Sequence, residues 1–242
     1  LKTHMSKNTV CLVGSATGFP HGIMDPIEEL SQIAKKNNIG LHVDSCLGGF
    51  LLPFLEEKIN FDFRCEGVTS ISADLHKYGY CPKGVSLLLY KNKELMHNQY
   101  FVETEWPGGI YATSTMLGSR SGNLLSLTYA TLLHYGLEDY KVKTKKIVDT
   151  TKYLVEEIKT INDISIIGKP DLNVIGIKSN DLDIYVVSDK MKDLGWNLNN
   201  LQYPSSIHLC VTSFHVSNDM RNKFIQDLKT SVYEARKSSI NE

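Results

Sequence analysis

Apolar and polar positions follow two rhythms along this chain, and the two alternate. Residues 9–14, 41–43, 68–72 and 85–90 are short runs of β-branched and apolar residues bounded by glycine, proline or polar clusters, which predicts strands. Val10-Cys11-Leu12-Val13 reads as a strand of the buried type. Between the first two runs, Ile27, Leu30, Ile33 and Ala34 recur at helical spacing. They predict a helix through Lys36, with Asp25 as N-cap, Pro26 at the first helical position, Glu28 and Glu29 in the first turn, and Asn37-Asn38 ending it. A short helix is expected over residues 50–58. Strands alternating with helices indicate a mainly parallel sheet.

The second half changes character. Helices are expected over 124–136 and 139–161, the latter with Ile147, Tyr153, Leu154, Ile158 and Ile161 at core spacing and Lys141, Lys143, Lys145 and Lys146 on a solvated face. Then come strands at 164–167 and 174–178, a helix at 184–194, strands at 196–201 and 207–211, and a helix at 218–237. The chain therefore divides into an α/β part, residues 1–123, and an α+β part, residues 124–242. His208 and His215 are expected in the core or on a sheet face, since neither has a partner at metal-ligand spacing.

Composition narrows the classes. Basic and acidic residues number 26 and 27, which gives no electrostatic case for nucleic-acid binding. No apolar run approaches the roughly 18 residues of a membrane-spanning helix, and no signal-peptide pattern stands out. The five cysteines, Cys11, Cys46, Cys65, Cys81 and Cys210, are scattered and odd in number, which fits a reducing compartment better than a disulfide framework or a zinc ribbon. No function is assigned to Cys46 or Cys81.

The candidate chemistry lies where predicted strands run out. Residues 69–84 read TSISADLHKYGYCPKG: the strand breaks into His76 and Lys77, followed by Tyr78, Gly79, Tyr80, Pro82 and Gly84, which suit a tightly turned loop with aromatic walls. Taken alone, a His-Lys pair is a surface loop. A second stretch, residues 39–50, ends a strand in Asp44 and continues Ser45-Cys46-Leu47-Gly48-Gly49. Open α/β sheets bind ligands beyond the carboxyl ends of their strands. An amine and a carboxylate at adjacent strand ends suit pyridoxal phosphate, the lysine forming a Schiff base and the carboxylate pairing with the pyridinium nitrogen. Gly14-Ser15-Ala16-Thr17-Gly18 lacks the lysine of a P-loop and the third glycine of a dinucleotide fingerprint. In a third stretch, residues 106–122, Gly118-Ser119-Arg120-Ser121-Gly122 precedes a predicted helix and reads first as a capping turn, with phosphate contact as the other reading.

These blocks carry a resemblance. SISADLHKYGYCPKG, NTVCLVGSATGFPHGIMDPIEEL, LHVDSCLGGF, FDFRCEGVTS, WPGGIYATSTMLGSRSG and GWNLNNLQYPSSIHLC, in collinear order over residues 8–233, resemble the C-terminal half of the sphingosine-1-phosphate lyases, in the pyridoxal-phosphate group II decarboxylase-like family. The resemblance implies a fold-type-I (aspartate-aminotransferase) large domain with a C-terminal small domain. It also implies a retro-aldol cleavage of phosphorylated sphingoid bases to a long-chain aldehyde and phosphoethanolamine. Lys77 and Asp44 would hold the cofactor, with His76 beside them as a proton shuttle or packing group. Lys83 and Tyr80 are candidates for the substrate phosphate. His21 is a substrate-side candidate or a structural turn histidine. Gly118 and Ser119 would reach the cofactor phosphate of a neighbouring subunit, implying a homodimer; Ser121 stands where relatives often have proline.

The first residue is not methionine, and the resemblance places the family's phosphate-cup loop, ring-stacking residue and endoplasmic-reticulum membrane anchor upstream. The expectation is therefore a fragment of a cytosol-facing enzyme, itself soluble, inactive alone and exposing apolar surface. The alternatives are a pyridoxal-phosphate amino-acid decarboxylase and a noncatalytic dimerisation or interaction module.

Overall fold

A computed structural model describes residues 2–240. The chain forms two compact units, the first from the chain up to Ala16, Asp25–Pro53 and Glu57–Gly136, the second from Thr17–Met24, Phe54–Glu56 and Leu137 onward.

In the first unit, β1 (Cys11–Ser15), β2 (Gly40–Asp44), β3 (Ser70–Ala73) and β4 (Leu87–Tyr90) form one sheet in sequence order. The first three strands are parallel and β4 returns antiparallel to β3. Register sets Ser15 beside Asp44 and Asp44 beside Ser72, so the carboxyl ends of β1, β2 and β3 finish level. Alternation along the strands then sorts the side chains. Leu41, Val43, Ile71 and Ala73 are buried, while His42, Asp44, Ser70 and Ser72 take the opposite, half-buried face.

Helix α1 (Ile27–Asn37) lays Ile27, Leu30 and Ala34 on the buried side of β1 and β2. A side chain at Gly14 would collide with Ile27 and Leu30, so the glycine lets the helix lie close to β1. The helix ends at Asn38, whose φ of 51° is left-handed and whose N–H reaches back to the carbonyls of Ala34 and Lys35. Its start differs from expectation. Pro26 holds the N-cap position without a side-chain bond, and the Asp25 carboxylate accepts the Ser15 N–H at 2.7 Å instead. The carboxylate closes the end of β1 rather than the start of α1.

Three further expectations change. Strand β1 is not buried on both sides: it is a sheet edge, and Val10 and Val13 are exposed. The helix expected over 50–58 is two short 3-10 turns, Gly48–Phe50 and Leu52–Phe54. Pro53 cannot supply an interior helical N–H, and Gly48 packs so tightly that a Cβ there would lie 2.1 Å from the Ala16 carbonyl oxygen. Beyond β4, a short helix α2 (Lys93–His97) and a hairpin of β5 (Phe101–Glu103) and β6 (Tyr111–Thr113) occupy sequence that gave no clear rhythm.

Helix α3 (Gly122–Lys159) is interrupted at Gly136, where φ 61° and ψ 179° are not helical and favour glycine. The chain passes from the first unit to the second at this point, so the boundary expected between residues 123 and 124 falls within the first unit. On the stretch of α3 before the break, Leu125, Tyr129 and Leu133, four residues apart, are exposed.

The second unit is an antiparallel sheet in the order β7 (Ser165–Ile166), β8 (Val174–Lys178), β10 (Ser206–Cys210) and β9 (Asn199–Leu201). Helices α4 (Ile184–Asp193) and α5 (Asn218–Ile240) pack on one another, and Asp183 caps α4 by accepting the Tyr185 N–H. The strand expected from Trp196 begins only at Asn199. Trp196 is buried against Phe224, and its indole N–H is donated to Asp227 Oδ2 at 2.7 Å. Both expected core histidines are buried. His208 donates from Nδ1 to the Pro20 carbonyl at 2.9 Å and accepts from the Asn199 amide at Nε2 at 2.8 Å. His215 accepts the Thr212 N–H at Nδ1.

Candidate active site

The site is built on the carboxyl ends of β2 and β3. Asp44 is the last residue of β2, and its Oδ1 accepts the Cys46 N–H at 3.1 Å and the Ser72 hydroxyl at 3.3 Å. Burial pushes this carboxyl up, but the Cys46 and Ser72 hydrogen bonds, with His42 nearby, outweigh burial and hold it below the ordinary range. Behind it on the same face, His42 lies between two serine hydroxyls, Nδ1 at 2.8 Å from Ser70 Oγ and Nε2 at 3.2 Å from Ser72 Oγ.

β3 ends at Ala73, and the next residue, Asp74, is mostly buried. Its Oδ1 accepts the Ser86 hydroxyl at 2.6 Å, and its Oδ2 lies 2.8 Å from Lys77 Nζ and 3.8 Å from His76 Nε2. Burial pushes Asp74 up; the Lys77 ammonium and the Ser86 hydroxyl overcome that and leave it lowered. His76 is held through Nδ1 to the Val85 carbonyl at 2.7 Å, which makes Nδ1 the protonated nitrogen and leaves Nε2 turned toward Asp74. The loop carrying both residues is rigid for local reasons. Leu75 is buried, the Cys81 N–H returns to its carbonyl, and a Cβ at Gly79 would lie 2.5 Å from that same oxygen.

A cavity of about 1190 Å³ opens beside these groups, lined by His42, Ser72, Ser86, Thr115, Ser119 and Arg120 among others. Ser72 bonds Asp44 and Ser86 bonds Asp74, so the anionic groups stand directly behind the cavity wall. Of the third sequence stretch, Ser119 and Arg120 line this cavity, and Gly118 has a φ of 68° that favours glycine. The capping reading has its own geometry: Ser121 Oγ accepts the Asn123 N–H at 3.3 Å, at the start of α3.

The remaining candidates are more dispersed. Tyr80, at φ 58°, packs its ring on Tyr135 with centroids 5.4 Å apart. Lys83 is exposed, next to Gly84 of the cavity wall. His21 belongs to the second unit, where its ring packs on Gly176 of β8 and its buried Nε2 has no hydrogen-bond partner among the described residues. Cys46 and Cys81 are both pushed up by burial, Cys46 to about 11, which leaves them as thiols at neutral pH.

Sequence reasoning passed over His42, Ser72, Asp74 and Ser86. The first two were legible in the two-residue period, which places His42 with Asp44 on one face of β2. Asp74 was legible in its spacing of three from Lys77. Ser86 was not, because its part depends on β4 pairing back on β3.

Residues 6–179 match the family model described as the pyridoxal-dependent decarboxylase conserved domain. The chain belongs to that family. Among relatives, this family member is 46% identical over 243 residues to rat sphingosine-1-phosphate lyase 1, covering 98% of this chain and 43% of the relative. It is 47% identical over 236 residues to the Arabidopsis thaliana sphingosine-1-phosphate lyase, covering 96% and 43%. It superposes on the Burkholderia pseudomallei sphingosine-1-phosphate lyase with a TM-score of 0.92 at 40% identity, over 99% of this chain and 56% of that one. A Lactobacillus brevis glutamate decarboxylase shares the fold, with a TM-score of 0.77 at 24% identity. The decarboxylase-family chain thus spans less than half the length of the rat and Arabidopsis relatives, and its fold is the fold-type-I arrangement of pyridoxal-phosphate proteins. The cofactor of this family fits the residues present. A lysine amine stands at one strand end, and a carboxylate held anionic by Cys46 and Ser72, as a protonated ring nitrogen needs, stands at the next.

Proposed function

We propose that this chain is the lysine-bearing part of a pyridoxal-phosphate-dependent carbon–carbon lyase that cleaves phosphorylated sphingoid bases to a long-chain aldehyde and phosphoethanolamine. The observation that carries the chemistry is that Asp44 ends β2 and Lys77 follows the end of β3, two adjacent parallel strands. The substrate class rests on likeness to the lyases of rat and Arabidopsis. When bound, the cofactor supplies an electron sink for the pair released as the C2–C3 bond breaks. Lys77 would hold the cofactor through its amine. Asp44, kept anionic by its hydrogen bonds, would supply the negative charge for the ring nitrogen. His76, with Nδ1–H committed to Val85, would take or return a proton at Nε2, which lies 3.8 Å from Asp74 Oδ2.

Lys83 and Tyr80 are assigned to the substrate phosphate, and His21 to the substrate side in the complete protein. Gly118 and Ser119 are assigned to the cofactor phosphate of a second subunit, so the working form is a homodimer. Among the described residues no helix is long and apolar enough to cross a membrane. Residence on the cytosolic face of the endoplasmic reticulum belongs to the complete protein and rests on the family resemblance.

The test is an absorbance scan with added pyridoxal phosphate, followed by borohydride reduction and peptide mass mapping. Reduced cofactor on Lys77, lost in Lys77→Ala, is the expected result; reduced cofactor on other lysines only would overturn the assignment. In the complete protein, aldehyde release from a phosphorylated sphingoid base is expected, abolished by Asp44→Ala. Carbon dioxide release from an amino acid in its place would make the protein a decarboxylase.

A further inference from the structure

The proposed function leaves Asp74 without a part. Yet it is the most constrained ionised group at the site: the residue is 8% exposed, and each carboxylate oxygen has its own partner. Lys77 is tied to it twice, through Nζ to Oδ2 and through its backbone N–H to the Asp74 carbonyl at 3.2 Å. An exposed ion pair would be of little consequence. Here the carboxylate cannot turn away, because Ser86 fixes Oδ1, and a largely buried carboxylate stripped of its cation is costly. The pair therefore dictates where the lysine nitrogen waits.

We infer that Asp74 is the positioning residue of Lys77: fixed by Ser86, it holds the lysine nitrogen at the end of β3 and withholds it from attack until a carbonyl compound draws it out of the ion pair. The chemistry requires such a release. An ammonium paired with a carboxylate has no lone pair to offer. On leaving Asp74 the nitrogen would give one proton to solvent and so gain the lone pair that bonds to an aldehyde carbon. The carbonyl oxygen would depart as water with a second proton from the nitrogen and the one returned from solvent, leaving the third proton and the positive charge on the nitrogen. Asp74 is then free to receive the nitrogen again when a second amine displaces it. The inference rests on the reading of Lys77 as the cofactor lysine for its purpose, but its test does not use the cofactor.

The experiment is competitive labelling of the whole folded chain with trace acetic anhydride at neutral pH, where the amine gains an acetyl group and acetate and a proton leave. Peptide mass spectrometry reads Lys77 relative to the exposed Lys83 in the same molecule. Lys77 is expected to label more slowly than Lys83. Asp74→Asn is expected to raise the ratio about three- to tenfold, Asp74→Glu to restore most of the original ratio, and Ser86→Ala to give an intermediate value. Circular dichroism and thermal melting establish that each variant is folded. A folded Asp74→Asn protein that labels like the parent overturns the inference. If Asp74→Asn does not fold, Ser86→Ala decides, and an unchanged ratio there overturns it equally. Failure of the cofactor reading is distinguishable, because it would appear as absence of reduced cofactor on Lys77 while the labelling ratios still move.

Discussion

The two four-stranded sheets of this protein treat their faces differently. In the second unit β8 and β10 are buried from one residue to the next: Val174, Ile175, Ile177, Ile207 and Leu209 are all within the core. Its one strand histidine, His208, has both ring nitrogens satisfied. In the first unit only alternate residues of β2 and β3 are buried, and the other face carries His42, Asp44, Ser70 and Ser72 in one hydrogen-bonded row. A sheet covered on both faces has apolar side chains wherever its strands point. A sheet with one open face can collect polar groups at its strand ends, and the candidate site is built there.

Substitutions can break this contrast, beginning with the largest effect. Phe224→Ala, at a fully buried ring packed on Trp196, is expected to cost about 3–5 kcal/mol in denaturant unfolding. A cost near zero would mean that the second unit is not the closed core described. Gly48→Ala is expected to cost about 1–3 kcal/mol, since the new Cβ meets the Ala16 backbone and the turn behind Asp44 must shift.

A shallower effect separates the units by pH. His208 and His215 are lowered by burial, so the unfolded chain binds their protons first. Their contribution is fully present above about pH 6.5 and declines as pH falls toward their lowered folded values. Asp44 and Asp74 are lowered by their partners, so their contribution declines only further down, below about pH 4. Urea unfolding across this range should show two separate slopes; no slope between about pH 6.5 and 5 would count against the buried neutral histidines. The smallest effect belongs to the open face: Val13→Ala, at a 65% exposed edge position, is expected to change stability by less than about 0.5 kcal/mol.

The alternating rhythm located β2, β3, β8, β10 and α1 to within a few residues, and the strand-end rule singled out Asp44 and Lys77, the pair on which the proposed function rests. Legibility failed where local preference met a tertiary contact. Asp25 is a good N-cap residue, but its carboxylate accepts the Ser15 N–H at the end of β1 instead. Residues 50–58 hold enough apolar side chains for a helix, but Pro53 and the contact of Gly48 with Ala16 broke it into turns. Trp196 has a strand-former's side chain, but its indole N–H needed Asp227.

By itself, then, the sequence determined the alternation of strands and helices, the change of class toward the C-terminal half, and the residue types at the strand ends, because periodicity and backbone preference act over a few neighbours. Only the tertiary structure decided which groups meet. The pairing of β4 with β3 brought Ser86 to Asp74, and the parallel register of β2 with β3 brought Ser72 to Asp44. Hydrogen bonds between residues 12 and 28 positions apart depend on register, which is settled by burying one face of a sheet and has no local signature in the chain.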